Sequence, residues 1–179
     1  MISLQALRDR FLQPQPRPAP APGERDLHFS LAAIHYDRGR LDDALRELEA
    51  ALRANPRLSD AYYLAGRIHE DRNELEQAIR SYRRAIRLDR SRLIYFLRLG
   101  AALEKKGDAW RAIDQFRAAA ALCPDDAETR FRLGTAFDAV GLIDDAIAEY
   151  RAAQKIDAGL KDAELCLQAA LRRKEAQAK

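Results

Sequence analysis

The chain has 179 residues, of which 33 % are charged and 47 % hydrophobic, a composition typical of a soluble helical protein. Its 31 basic and 28 acidic side chains leave a formal charge of +3, which is too small to indicate nucleic acid or a membrane surface as a partner. No apolar run approaches the ~20 residues that a membrane helix needs, and residues 1–12 lack the apolar stretch of a secretory signal. We therefore predict no nucleic-acid binding, no membrane insertion and a cytoplasmic location.

Two different segments precede the main part of the chain. Residues 1–12 predict a short amphipathic helix with Leu4, Leu7 and Phe11 near one face, although about eleven residues are marginal for an isolated helix. It should dock on another surface or fray. Residues 13–24 form a Pro-rich linker, because five prolines between Pro14 and Pro22 favour an extended chain that reaches roughly 30 Å.

Residues 25–160 consist of four copies of a 34-residue unit, at 25–58, 59–92, 93–126 and 127–160. Small residues align in three columns of these copies. The eighth position has Ala32, Gly66, Gly100 and Gly134; the twentieth has Ala44, Ala78, Ala112 and Ala146; the twenty-seventh has Ala51, Ala85, Ala119 and Ala153. Such columns indicate close helix packing within and between copies, so a large side chain at Gly100 should cost about 1–3 kcal/mol or more.

Each copy predicts two helices joined by a turn. In the first copy, helix A should run near residues 26–37 and end at Gly39, since glycine accepts the left-handed cap conformation. Helix B should follow and end before Pro56, which cannot continue the hydrogen-bond ladder. Residues 161–179 then predict a capping helix and a basic tail, because an array of stacked repeats needs a polar terminal surface.

This pattern resembles the tetratricopeptide repeat, a helix–turn–helix unit of the same period. The chain departs from that family at the first signature position, where tryptophan is usual, and has the closing proline only at Pro56 and Pro124. The resemblance implies an all-α, right-handed α-solenoid of four 34-residue repeats with a C-terminal capping helix. It also implies a scaffold or adaptor whose A helices line a concave groove that binds a peptide or helix of a partner protein.

The candidate partner-binding residues follow from the positions that face this groove in the family. They are Phe29, Tyr36, Tyr63, Arg67, Leu97, Arg98, Phe131, Arg132 and Thr135. Aromatic and arginine side chains are typical of binding hot spots. Alternatively, the fifth-position residues Phe29, Tyr63, Leu97 and Phe131 pack between adjacent A helices.

One use of such grooves is not expected in this chain. Repeats that grip the carboxylate tails of heat-shock chaperones have Lys, Asn, Asn, Lys and Arg at set positions. The corresponding residues here are Phe29, Ala33, Leu64, Ile94 and Arg98. Because only the arginine matches, we do not expect a carboxylate-clamp partner of heat-shock chaperones.

Side chains for catalysis do not converge in the sequence. His35 and His69 share one column without a carboxylate or cysteine at metal-ligand spacing, and the paired aspartates fall at helix starts, where they suit the helix dipole. Cys123 and Cys166 form no CxxC motif and are interpreted as small buried hydrophobes. We predict no enzyme activity, no cofactor and no metal.

The N-terminal segment leaves a second functional hypothesis open. Leu4, Leu7 and Phe11 could dock in the groove of the same chain or of a neighbour, which would make the protein an autoinhibited assembly factor or a self-associating one, that is, a homo-oligomer. A subunit of a larger secretion, pilus or envelope assembly is a further alternative.

Overall fold

A computed structural model describes the backbone of residues 22–177 and the side chains of residues 27–177. The predicted N-terminal helix with Leu4, Leu7 and Phe11, most of the predicted linker, and the last two residues of the tail lie outside the described residues.

The described part of the chain is entirely helical apart from its turns, which confirms the all-α prediction. Its helices are α1 (Pro22–Asp37), α2 (Leu41–Ala54), α3 (Ser59–Asp71), α4 (Leu75–Leu88), α5 (Leu93–Lys105), α6 (Ala109–Leu122), α7 (Ala127–Ala139), α8 (Ile143–Ile156) and α9 (Lys161–Gln177). The first eight pair as helix–turn–helix repeats, and each pair packs against the next.

The first helix begins earlier than the sequence pattern suggested. It includes Pro22, Gly23 and Glu24, which were predicted to belong to the extended linker. Proline fixes φ near the helical value, and the amide that it lacks would have no helical acceptor in the first turn. Pro22 can therefore begin a helix, whereas a proline further inside would break it.

The turns inside the repeats need a left-handed residue. Gly39, Gly107 and Gly141 have φ of 71°, 84° and 79°, and Asn73 has φ of 59° at the same place in the second repeat. In this conformation a β-carbon is unfavourable, and asparagine tolerates it better than most residues. Helix A of the first repeat was predicted to end at Gly39 for this reason.

We expect Gly107→Ala to lower the free energy of unfolding by about 1 kcal/mol. A β-carbon at Gly107 would meet nothing within 4 Å, so the loss comes from backbone conformation rather than from a clash. Gly107→Asn should cost less, because Asn73 holds the same conformation. Urea denaturation of the two variants measures the difference, and equal losses would contradict the explanation.

The apolar core follows the stacked helices as two clusters of buried side chains. One cluster of buried side chains extends from Ala78 in α4 to Ala170 in α9, and a second joins α1, α2 and α3. The large buried residues are the aromatic and aliphatic side chains that face the small-residue columns, among them Leu48, Tyr82, Phe116 and Tyr150. Each repeat thus buries its apolar side against a neighbouring repeat.

Helix α9 has the features of a terminal cap. It buries Ala163 and Ala170, whereas Leu165 is 64 % exposed. Gln168 is exposed at the eighth position, where the four preceding copies have alanine or glycine against a large side chain. A residue of that size is accommodated because no following B helix packs on α9 in the described chain.

The two cysteines are less buried than we predicted. Cys123 and Cys166 are both half-buried thiols. Cys123 follows the last residue of α6, where the chain turns at the surface, and Cys166 lies on the terminal helix, which has a neighbour on one side. Neither position is fully enclosed by other elements.

Candidate functional site

The predicted groove residues lie on the first helix of each repeat. We define the A-helix face as the surface formed by the second, fifth, sixth, ninth, twelfth and thirteenth positions of each 34-residue repeat, which lie on α1, α3, α5 and α7, and by the corresponding positions of α9. At the fifth position, Phe29, Tyr63, Leu97 and Phe131 are half-buried and pack against the core clusters. The Tyr63 ring stacks on Tyr95 at 5.2 Å between centroids. These residues pack between repeats, and their uncovered part remains accessible to a ligand.

Tyr36 and Arg67 form one polar group at the first junction between repeats. The Arg67 guanidinium lies 4.7 Å from the Tyr36 ring centroid, and the Tyr36 hydroxyl donates a hydrogen bond of 2.7 Å to Asp71 Oδ2. Burial, together with Asp71, raises the pKa of Tyr36. Within residues 27–177, Arg67 forms no salt bridge, so its charge can interact with an added anion.

The twelfth and thirteenth positions connect successive repeats in a recurring way. We call the twelfth residue of one repeat and the thirteenth of the next a cross-repeat pair. Tyr36 bonds Asp71, Glu70 bonds Lys105, and Asp138 bonds Arg173. Two of the three pairs are therefore an acid held by a base of the following A helix.

Glu70 is the most enclosed member of these pairs. Its side chain is 8 % exposed, and Oε2 accepts a hydrogen bond of 2.9 Å from the Tyr82 hydroxyl. Burial acts to raise the pKa of Glu70, but the hydrogen bonds from Lys105 and Tyr82 outweigh it and lower the pKa. The same carboxylate and burial raise the pKa of Tyr82 far above its ordinary range. The charge on Glu70 is thus stabilised by donors from two helices.

The junction between the third and fourth repeats lacks this arrangement. The twelfth residue is Glu104, but the thirteenth residue of the next repeat is Ala139, and Phe116 stands where the second repeat has Tyr82. Among the described residues, Glu104 has no ion pair within 4 Å and no side-chain hydrogen bond. Burial raises its pKa, and Arg132 partly opposes that rise.

The remaining predicted site residues already have neighbours within the chain. Arg98 Nη1 is 4.0 Å from Glu70 Oε2, and Arg132 Nη2 is 2.7 Å from Glu128 Oε1 in the same helix. Thr135 Oγ1 donates to the Arg132 carbonyl at 2.8 Å. Both arginine side chains remain about two-fifths exposed, at 42 % and 41 %, so their intramolecular contacts leave room for a ligand.

The cross-repeat pairs escaped the sequence analysis. The acids lie in the twelfth column and their bases in the thirteenth, and these two columns were not compared in the sequence analysis. A signal was present, because the partners are separated by 35 residues in each case. The sixth-position residue Leu64 also differs from the expectation that its column faces a ligand, since it is 6 % exposed and belongs to the core.

The described residues include no group of three or more metal-capable side chains. His28 and His69 each contact a glutamate, Glu47 and Glu74, at 2.6 Å through Nδ1. In the same part of the chain, no helix is both long and apolar enough to cross a membrane.

The repeated helix pairs and the exposed A-helix face define a helical-repeat scaffold. The chain belongs to the tetratricopeptide repeat family, whose profile matches residues 29–93 and 97–161. Domains of this family are generally protein-interaction scaffolds and are typically non-catalytic. The earlier resemblance is thereby confirmed, and with it the solenoid of helix–turn–helix repeats.

Solved structures of similar fold include two of MamA proteins and one of YrrB. A MamA protein is 24 % identical over 87 % of this chain and 85 % of its own, with a TM-score of 0.81. MamA from Desulfovibrio magneticus RS-1 is 22 % identical over 85 % and 86 %, with a TM-score of 0.78. YrrB, a TPR protein with an unusual peptide-binding site, is 25 % identical over 83 % and 76 %, with a TM-score of 0.75. No curated protein matches the sequence.

Proposed function

We propose that this chain is an adaptor that holds a peptide or helix of a partner protein on its A-helix face. The observation that carries the proposal is an apolar strip along α5 and α7 with charged groups beside it. Ile94 is 38 % exposed, and Leu97, Ala101 and Phe131 are half-buried. Grooves that bind helices or extended peptides combine apolar contacts with hydrogen-bonding or charged side chains.

The charged groups beside the strip favour a ligand with an acidic group at one place. Arg67 lies over Tyr36 and has no carboxylate partner among the described side chains. An acidic residue of the ligand would form an ion pair with it. Charge-assisted hydrogen bonds to arginine are stronger than neutral ones and add orientation. The likeness to YrrB supports the proposal, because that protein has the same fold and a peptide-binding site.

A random 12-residue peptide display library, selected against the full chain, tests this proposal. We expect Ala101→Trp to weaken the selected peptides at least tenfold, since it fills the strip beside α7. Ala121→Trp is the matched control, because Ala121 is exposed on the B helix α6. Fluorescence anisotropy measures the affinities. The proposal fails if no peptide is selected, or if both tryptophan variants bind alike.

The predicted alternative is that residues 1–21 occupy the A-helix face. Leu4, Leu7 and Phe11 would supply the apolar anchors, within the chain or between two copies. Starting the chain at Pro22, the first residue of α1, should then strengthen peptide binding or reduce the molar mass measured by light scattering. No change in either quantity would rule out this alternative and leave the face to other proteins.

A further inference from the structure

The structure singles out Glu104 on the A-helix face. Its counterparts in the second and fourth repeats, Glu70 and Asp138, each bond a cation from the next A helix. At the third junction that cation would stand at Ala139, which is exposed and has no charge. The tyrosine that bonds Glu70 is also replaced, by Phe116. Both groups that donate hydrogen bonds to Glu70, Lys105 and Tyr82, are therefore missing at Glu104.

The surroundings of Glu104 leave it accessible to a bound chain. Ala101 is three residues before Glu104 on α5, and Thr135 is four residues before Ala139 on α7, so helical spacing puts each pair on one side of its helix. These side chains are small, and Glu104 itself is half-buried. Arg132 is the cation that acts on Glu104 electrostatically, but its guanidinium is bonded to Glu128.

A half-buried carboxylate without a partner becomes costly when a ligand covers it. Excluding water removes its hydration, and only an added donor or cation can replace what is lost. At the equivalent junctions this group is an ammonium or a guanidinium. The apolar strip of Leu97, Ala101 and Phe131 begins beside the same place, so the ligand residue that reaches Glu104 adjoins apolar ones.

We infer that the bound segment supplies a lysine or arginine to Glu104, next to its apolar anchors, and thereby completes the missing cross-repeat pair. The inference rests on the proposed function and specifies its ligand. With an acidic residue near Arg67 and a basic residue near Glu104, it also fixes the direction in which the segment lies along the repeats.

The first test uses the peptides selected from the random 12-residue library with the full chain. We expect a lysine or arginine at one fixed place relative to the apolar residues. Glu104→Gln should weaken these peptides about tenfold, as the loss of a charge-assisted hydrogen bond does. Replacing the conserved basic residue of the peptide by norleucine should weaken binding to the wild type similarly and should cause no further loss with Glu104→Gln.

The controls separate this contact from net charge and from folding. Glu49→Gln makes the same change in charge on α2, where Glu49 is exposed, and should leave affinity unchanged. Ala139→Lys supplies the cation internally and should weaken the same peptides, whereas Ala139→Gln should weaken them much less. Thermal unfolding of each variant shows whether it is folded under the assay conditions.

Each outcome has one meaning. Peptides that are blocked by Ala101→Trp but carry no basic residue, or that bind Glu104→Gln as tightly as the wild type, overturn the role of Glu104 and leave the proposed function standing. If Ala101→Trp blocks no selected peptide, the proposed function fails and this inference fails with it. Coupling between Glu104 and the basic residue establishes the inference.

Discussion

Replacing Glu70 by alanine is expected to lower the free energy of unfolding by about 2–4 kcal/mol, which is large for one polar side chain. The side chain is 8 % exposed, and it accepts hydrogen bonds from Tyr82 and Lys105. Its removal leaves the hydroxyl of Tyr82 without this acceptor inside the core. The substitution weakens contacts within the second repeat and between the second and third repeats, because the two donors come from α4 and α5.

A double-mutant cycle with Tyr82→Phe separates the hydrogen bond from general packing. If the bond accounts for much of the loss, Glu70→Ala should cost about 1 kcal/mol less in the Tyr82→Phe background than in the wild type. Guanidinium denaturation of the four proteins gives the coupling energy. Strictly additive losses would show that the hydroxyl and the carboxylate do not depend on each other.

The same pair predicts how stability changes with pH. The pKa of Glu70 is lowered from its ordinary value of 4.5, so the unfolded chain binds the proton more readily than the folded one. This contribution is fully present above about pH 4.5 and is lost as the pH falls through the folded pKa. Glu70→Gln removes the titrating carboxyl group. The difference in unfolding free energy between wild type and this variant should therefore shrink as the pH falls below about 4.5. A constant difference would contradict the assignment.

The period and the small-residue columns were enough to predict the fold, because each column records a distance between helices. Gly66, for example, has the Tyr82 ring 2.4 Å from the place of a β-carbon, and no other residue type fits there without movement. These packing constraints involve residues close together in the sequence and recur in four copies, so they can be recognised from the sequence alone. The predicted start of α1 was wrong, because Pro22 is compatible both with an extended linker and with the first turn of a helix.

The candidate site was less predictable for a physical reason. A column identifies which side of a helix a residue is on, but it does not say how two long side chains from different helices meet. Lys105 could have extended into solvent, and its bond to Glu70 depends on the spacing and tilt of α3 and α5. That Glu104 lacks hydrogen-bond donors is harder still to predict from the sequence. It depends on Ala139 and Phe116, which stand where the previous repeat has the donors Lys105 and Tyr82.

Gly100→Ala is expected to lower the free energy of unfolding although alanine is the better helix former. A β-carbon at Gly100 would be 2.5 Å from Cε1 and 2.7 Å from Cζ of Phe116, so the buried ring must move. Overpacking of this kind costs about 1–3 kcal/mol, and the gain in helix propensity of about 1 kcal/mol offsets part of it. A net loss of up to about 2 kcal/mol should appear in urea denaturation.

The first repeat contains the compensating pair for this test. There the eighth position is Ala32 and the large residue facing the column is Leu48, and both are buried. Phe116→Leu alone should leave a cavity and lower stability. Combined with Gly100→Ala, it recreates the pair of the first repeat, since the added methyl fills the space that the smaller side chain leaves.

The double variant should therefore be more stable than the sum of the two single losses predicts, by about 1 kcal/mol or more, as expected for residues in contact. Gly66→Ala with Phe116→Leu is the matched control, because Gly66 faces Tyr82 in another repeat, and its losses should add. If the Gly100 and Phe116 losses also add, steric contact with the ring is not what keeps glycine at this position. Positive coupling confined to the facing pair would mean that the small-residue column is set by the size of the side chain opposite it, repeat by repeat.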